Sequence, residues 1–180
     1  HSHTSFYLGA SYEAMKQYHQ AIQAYKQGRS AQMLSISGKD DQDFQLRLIN
    51  GLASAIAKSD VRDVETDAAL QHANSGQNPS DWFLLAKIYA YRGDADSAID
   101  AYNRACLVEP NNSLYAKEYG LFLEKIGQAA KAEAPLRRAY SLNSSDSQVV
   151  MALRRIGVVP GPSLRDENAL AKPIMPKGPI

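Results

Sequence analysis

Between Pro79 and Pro110 the apolar residues fall at helical spacing twice over. Trp82, Leu85 and Tyr89 recur at three and four residues and share one face of a helix; after a break at Gly93-Asp94, Ala98, Ile99, Tyr102 and Ala105 do the same. Pro110 closes the second run because it has no N–H to give to a helix ladder. The pattern predicts a helix hairpin over 79–112. A shift of 34 residues converts Gly93, Ala98, Ala105 and Tyr102 into Gly127, Ala132, Ala139 and Leu136, so a second hairpin is expected over 113–144. Pro135 lies inside its second helix, where a kink is expected, since an interior proline costs about 3 kcal/mol.

The flanking segments are less regular. Tyr7, Leu8, Gly9 and Tyr12, then Ala21, Ile22 and Tyr25, predict a weaker hairpin over 2–30, with Ser5 in the slot of Trp82. Gly28 replaces the late alanine; it either costs about 1 kcal/mol of helix propensity or marks an early helix end. Residues 31–43 break the register with a linker containing Ser37-Gly38. Asp40 or Asp41 then caps a helix carrying Phe44, Leu48, Leu52 and Ile56. Ser59 or Asp60 restarts the chain, and Val61, Val64, Ala68 and Ala69 place a partner helix over 61–74, making 40–78 a divergent hairpin. Ser145 or Asp146 begins a helix over 145–157 with Val149, Val150, Leu153 and Ile156 on one face, and Gln148, Arg154 and Arg155 suit an outward polar side. From 158 to 180 an extended tail holds five prolines from Pro160 to Pro179 among Val158, Val159, Leu164, Leu170, Ile174, Met175 and Ile180; such a segment packs along a surface or binds a partner.

Trp82, Leu85, Tyr89, Ala98, Tyr102 and Pro110 fill the 34-residue pattern W-x2-L-G-x2-Y, A-x3-F, P. The chain resembles the tetratricopeptide-repeat family, with Ala86 where the family usually has glycine and Tyr102 where it usually has phenylalanine. The resemblance implies an all-α, right-handed α-solenoid of antiparallel helix pairs, here one repeat domain over 1–157. Ala86, Ala98, Ala105, Gly120, Ala132 and Ala139 are the small residues that let helices cross closely; Trp82, Leu85, Tyr89 and Tyr102 fill the grooves between them, and Leu8, Gly9, Tyr12, Ala21 and Tyr25 are their counterparts in the first repeat. On this reading Trp82 is a core residue and Lys87 a surface one.

The resemblance further implies that first helices line a concave groove for an extended or helical peptide. First-helix positions outside the packing pattern are the candidates: Phe6 and Glu13, then Phe83, Lys87 and Tyr91, then Lys117, Leu121 and Lys125. They suggest apolar pockets with a basic flank, suited to a peptide with apolar anchors and acidic residues; ordinary surface or packing roles are equally compatible with these residue types. The lysine, asparagine and arginine set with which some members hold a C-terminal carboxylate is absent, its positions being Phe6, Ala10, Leu84, Leu114 and Glu118.

Composition narrows the picture. A net charge of +1, spread evenly, gives no reason to expect nucleic-acid binding. Cys106 is the single cysteine, so no intrachain disulfide forms, and beside Ala105 it reads as a buried inert thiol. His1, His3, His19 and His72 are scattered, so no metal is expected. Asp94, Asp96 and Asp100 lack the glycine and terminal glutamate of a calcium loop and read as helix-start charges. No nucleophile–base pair, phosphate loop or membrane-spanning run is present, and no cofactor is expected. The first residues lack a signal peptide's basic start and apolar core and read as the start of a repeat, suggesting a piece of a longer protein. The expected function is a non-catalytic protein-interaction scaffold for a peptide or subunit partner. Two alternatives stand beside it: a self-assembling module whose tail lies in its own or a neighbour's groove, giving a homo-oligomer, and the targeting arm of an enzyme whose catalytic domain lies outside these residues.

Overall fold

The computed structural model describes residues 1–34 and 41–164. The Ser37-Gly38 linker, the Asp40 cap and the tail from 165, with Leu170, Ile174, Met175 and Ile180, lie outside the described residues. Within them the chain is all-α: α1 (Ser2–Ala14), α2 (Tyr18–Met33), α3 (Asp41–Lys58), α4 (Arg62–Ser75), α5 (Asp81–Arg92), α6 (Ala95–Val108), α7 (Ser113–Lys125), α8 (Ala129–Leu142) and α9 (Ser147–Arg155), with a short 3-10 turn at Pro162–Leu164. The chain divides into two compact units, His1–Glu109 and Pro110–Ile180.

Stacked helix pairs build the first unit as an α-solenoid. α1 packs on α2 and α5 on α6, while α3 lies against α2, α1 and α5, and α4 lies against α5. The first helices α1, α3 and α5 thus form one layer. Sequence explains the tight turns: Gly93 ends α5 in the left-handed region at φ 78°, and the Asp94 side chain accepts the Ser97 N–H that α6 would otherwise leave unpaired. Close approach explains two other glycines. A Cβ on Gly9 of α1 would stand 2.8 Å from the Tyr25 ring, and one on Gly51 of α3 only 2.5 Å from it, so Tyr25 fills a slot that both helices leave open.

Several expectations change here. Gly28 does not end α2, which runs to Met33; it is buried where a Cβ would meet Leu48 at 2.8 Å. Val64, assigned to the apolar face of α4, is 70% exposed, and the buried residues of that helix are Thr66 and Ala73. α4 is held instead by polar ties on both flanks: Lys26 donates to Glu65 at 2.6 Å, and Arg92 donates to Asp63 at 2.6 Å and to Thr66 at 2.9 Å; in the turn before it His19 meets Asp60 at 2.9 Å.

In the second unit α7 pairs with α8, and α9 covers both. Leu136 fills the space that Gly120 leaves; a Cβ there would lie 2.5 Å away. Asp146 caps α9, accepting the Gln148 and Val149 N–H groups, and also accepts from Lys117 at 2.9 Å. Burial pushes the Asp146 carboxyl up, but the Lys117 bond and charge and the two backbone bonds outweigh it and hold the group below the usual carboxylate range. Arg155 grips Glu124 through two nitrogens at the other end of α9. The Arg155 bonds lower the Glu124 pKa against a small opposing effect of burial. Leu164 in the 3-10 turn is buried, and that turn lies against α8.

Candidate functional site

The layer of first helices in the first unit carries side chains that its core does not absorb. At one end Phe6 of α1 and Phe44 of α3 meet edge-on with centroids 5.7 Å apart, His3 stacks on Phe44 at 3.9 Å, and the Arg47 guanidinium lies 4.7 Å from the Phe6 ring centre. Phe44 is buried, Phe6 half-buried and Arg47 exposed, so an apolar step with a cation above it faces outward.

At the other end Glu13 of α1 is the hub of a network. It accepts hydrogen bonds from the Ser54 hydroxyl at 2.6 Å, Lys58 Nζ at 2.8 Å and the Tyr25 hydroxyl at 3.1 Å. Burial would raise the Glu13 pKa, but the bonds from Lys58 and Ser54, the Lys58 charge and the Tyr25 bond together hold it below the usual range. The same geometry raises the Tyr25 phenol, first through burial and then through the Glu13 charge. Lys58 is raised chiefly by its bond to Glu13, and its ammonium also feels Tyr18 and Tyr91. Half of the Lys58 side chain stays exposed, as does half of Tyr91.

Two first-helix candidates are corrected. Phe83 is fully buried, edge-on to Tyr102 at 6.1 Å, and so packs the core instead of lining a groove. Lys87 is 9% exposed with its ammonium 5.7 Å from the Phe83 ring centre, because its stem runs along that ring; it is not the surface residue expected. Among the packing residues, Trp82 is only half-buried, Tyr12 and Tyr89 likewise, Leu8 is 45% exposed, and Pro110 lies at the surface. The reason is one of register: on α5 the buried run is Phe83 to Ile88, and Trp82 sits at its edge beneath the Arg104 guanidinium, 4.7 Å away. In the second unit Lys117 is tied to Asp146, Leu121 is half-buried and Lys125 exposed, so the expected basic flank is in part neutralised.

Arg47, Ser54 and Lys58, all on α3, are absent from the sequence candidates, and Phe44 enters there only as an apolar helix position. The signal was present: on the divergent helix they stand beside the apolar positions Leu48, Leu52 and Ile56, but without a repeat motif there was no template for its face. Cys106 is half-buried and its thiol is pushed up to about 11 by burial, which makes it a poor nucleophile at neutral pH. No cluster of three or more His, Cys, Asp or Glu fit for a metal occurs among the described residues.

Stacked antiparallel helix pairs with small residues at the crossings and a side-chain-rich layer of first helices define a helical-repeat protein. The chain carries tetratricopeptide repeats: the tetratricopeptide repeat profile matches residues 79–112, and a second profile of the same description matches 4–27. Among solved structures, a thermophilic TPR protein in Thermus thermophilus superposes with a TM-score of 0.50 at 17% identity, over 95% of this chain and 87% of that one. MamA protein aligns with a TM-score of 0.48 at 16% identity, over 94% and 86%. No curated protein matches the sequence.

Proposed function

We propose that this protein is a non-catalytic interaction scaffold that receives a peptide or a subunit of another protein along α1, α3 and α5. The observation that carries the reading is the contrast within that layer: an apolar step at Phe6 and Phe44 beneath Arg47, and a polar end where Lys58 and Tyr91 stand exposed beside the Glu13 network. Exposed aromatic and guanidinium groups are the residue types that dominate binding energy at protein interfaces. The cationic head of Arg47, with the Lys58 ammonium shared with Glu13, favours an occupant with apolar anchors and acidic residues. Tetratricopeptide repeats generally serve as interaction modules, in agreement with an interaction role.

The test is comparative capture. Partners recovered on the immobilised chain are compared with those on the Arg47→Glu/Lys58→Glu variant, with circular dichroism verifying that the variant folds. A partner lost from the folded variant supports the reading. Partners retained in full by it place the interface elsewhere.

A further inference from the structure

A recess separate from the Phe6–Phe44 step and the Glu13 network lies where α4, α5 and α6 leave a cleft of about 460 Å³. Its floor is Trp82, Leu85 and Tyr89, and its rim carries Asp96, Asp100 and Arg104. The first hairpin has the same recess, about 350 Å³, at equivalent positions 77 residues earlier. Leu8 and Tyr12 repeat Leu85 and Tyr89, while His19, Gln23 and Gln27 stand where Asp96, Asp100 and Arg104 stand. The helix pair therefore forms with a histidine and two glutamines in these slots, and the Asp96, Asp100 and Arg104 rim between α5 and α6 is not a requirement of the fold.

That rim already holds a cation. The Arg104 guanidinium lies 4.7 Å from the Trp82 ring centre and donates through Nε to Asp100 at 2.9 Å. A planar cation on an indole face, with a carboxylate at its edge, is how guanidinium groups are bound by proteins. The surroundings favour positive charge more widely: after burial, the Asp94 charge, with those of Asp67 and Asp100, raises the Tyr89 phenol against the opposing effect of Arg92.

We propose that the cleft between α4, α5 and α6 is a second binding site, for an arginine side chain of a partner protein, and that Arg104 occupies it as a resident stand-in which the incoming guanidinium displaces from the face of Trp82. Asp96 and Asp100 hold the incoming cation at the rim, and the exchange of one guanidinium for another leaves the charge inside the cleft balanced.

Trp82 is the single tryptophan of the chain, so its fluorescence reports on this site directly. The probe is a capped glycine-arginine-glycine peptide, with the citrulline peptide as its neutral twin. Saturable change with arginine and none with citrulline is expected. Arg104→Gln, which frees the ring, is expected to tighten binding about fivefold, and Asp96→Asn/Asp100→Asn to weaken it by a similar factor, from the strength of an exposed cation–π contact or ion pair. Equal responses to the two peptides, or weaker binding by folded Arg104→Gln, would overturn the proposal. Both variants lie outside the α1–α3–α5 layer, so their outcome leaves the scaffold reading to its own test.

Discussion

In the α5–α6 hairpin two helices bury their faces in each other: Leu85 and Ile88 on one side and Ala98, Tyr102 and Ala105 on the other are all within 1% of full burial. α3 and α4 are also joined by a short turn, yet α3 buries Leu48, Ile49, Leu52, Ala53 and Ile56 while packing mainly on α2 and α5, and α4 keeps only Thr66 and Ala73 buried. The first pair is held by apolar area; in the second, α3 is held by burial against α2 and α5, and α4 by ion pairs to those same helices. A helix hairpin is thus a statement about chain connectivity, and only the burial pattern says whether its two helices stabilise one another.

The largest effect that would break this contrast is at Phe83. Its replacement by alanine empties a fully buried site and is expected to cost about 3–5 kcal/mol, whereas Trp82→Ala, at the edge of the same helix, should cost about 1 kcal/mol. Equilibrium denaturation followed by far-ultraviolet circular dichroism reads both variants without relying on the lost indole. Equal losses would mean that the buried face of α5 is assigned wrongly.

Next is Gly51→Ala. If α3 packs more closely on α2 than on α4, the added methyl meets Tyr25, which Gly9 also confines, and overpacking of this kind costs about 1–3 kcal/mol. Thermal unfolding would show a clear drop. An unchanged midpoint would mean that Tyr25 is free to move and that α2 and α3 are less tightly joined than the geometry requires.

These two positions also mark what could be read from the chain. The spacing of Ala98, Tyr102 and Ala105 made α6 legible because an amphipathic helix buried on one side repeats every three to four residues. Phe83 and Trp82 are adjacent, so periodicity alone could not decide which faced inward, and the repeat pattern favoured the wrong one. α4 was placed correctly as a helix but with Val64 inward, since a helix held by Asp63, Glu65 and Thr66 has no apolar period to follow. Glu13 was legible as an unabsorbed first-helix residue; its partners Tyr25, Ser54 and Lys58 come from two other helices and only the fold brings them together.

That network gives a pH dependence. The Glu13 carboxyl is held below its ordinary value in the folded chain, so its contribution to stability is complete above the unfolded glutamate pKa, about 4.3, and is lost as the pH falls through the lowered native value. Glu13→Gln is expected to flatten the acid limb of a plot of unfolding free energy against pH. An unaltered limb would mean that Glu13 exchanges no protons on unfolding.

The smallest effect concerns α4 itself. Arg92 joins α5 to Asp63 and Thr66, and Lys26 joins α2 to Glu65. Each such pair near the surface contributes about 0.2–1 kcal/mol and is weakened by salt, because screening lengths shorten to about 3 Å at 1 M. Apolar contacts are not screened. Amide hydrogen exchange in α4 is therefore expected to quicken between low and high sodium chloride, and to quicken at low salt in Arg92→Ala, while exchange in α6 changes little in either comparison. Parallel changes in the two helices would mean that they open as one cooperative unit and that α4 draws its stability from the whole stack. A response confined to α4 identifies it as the element that opens first, held to its neighbours by charge where the others are held by burial.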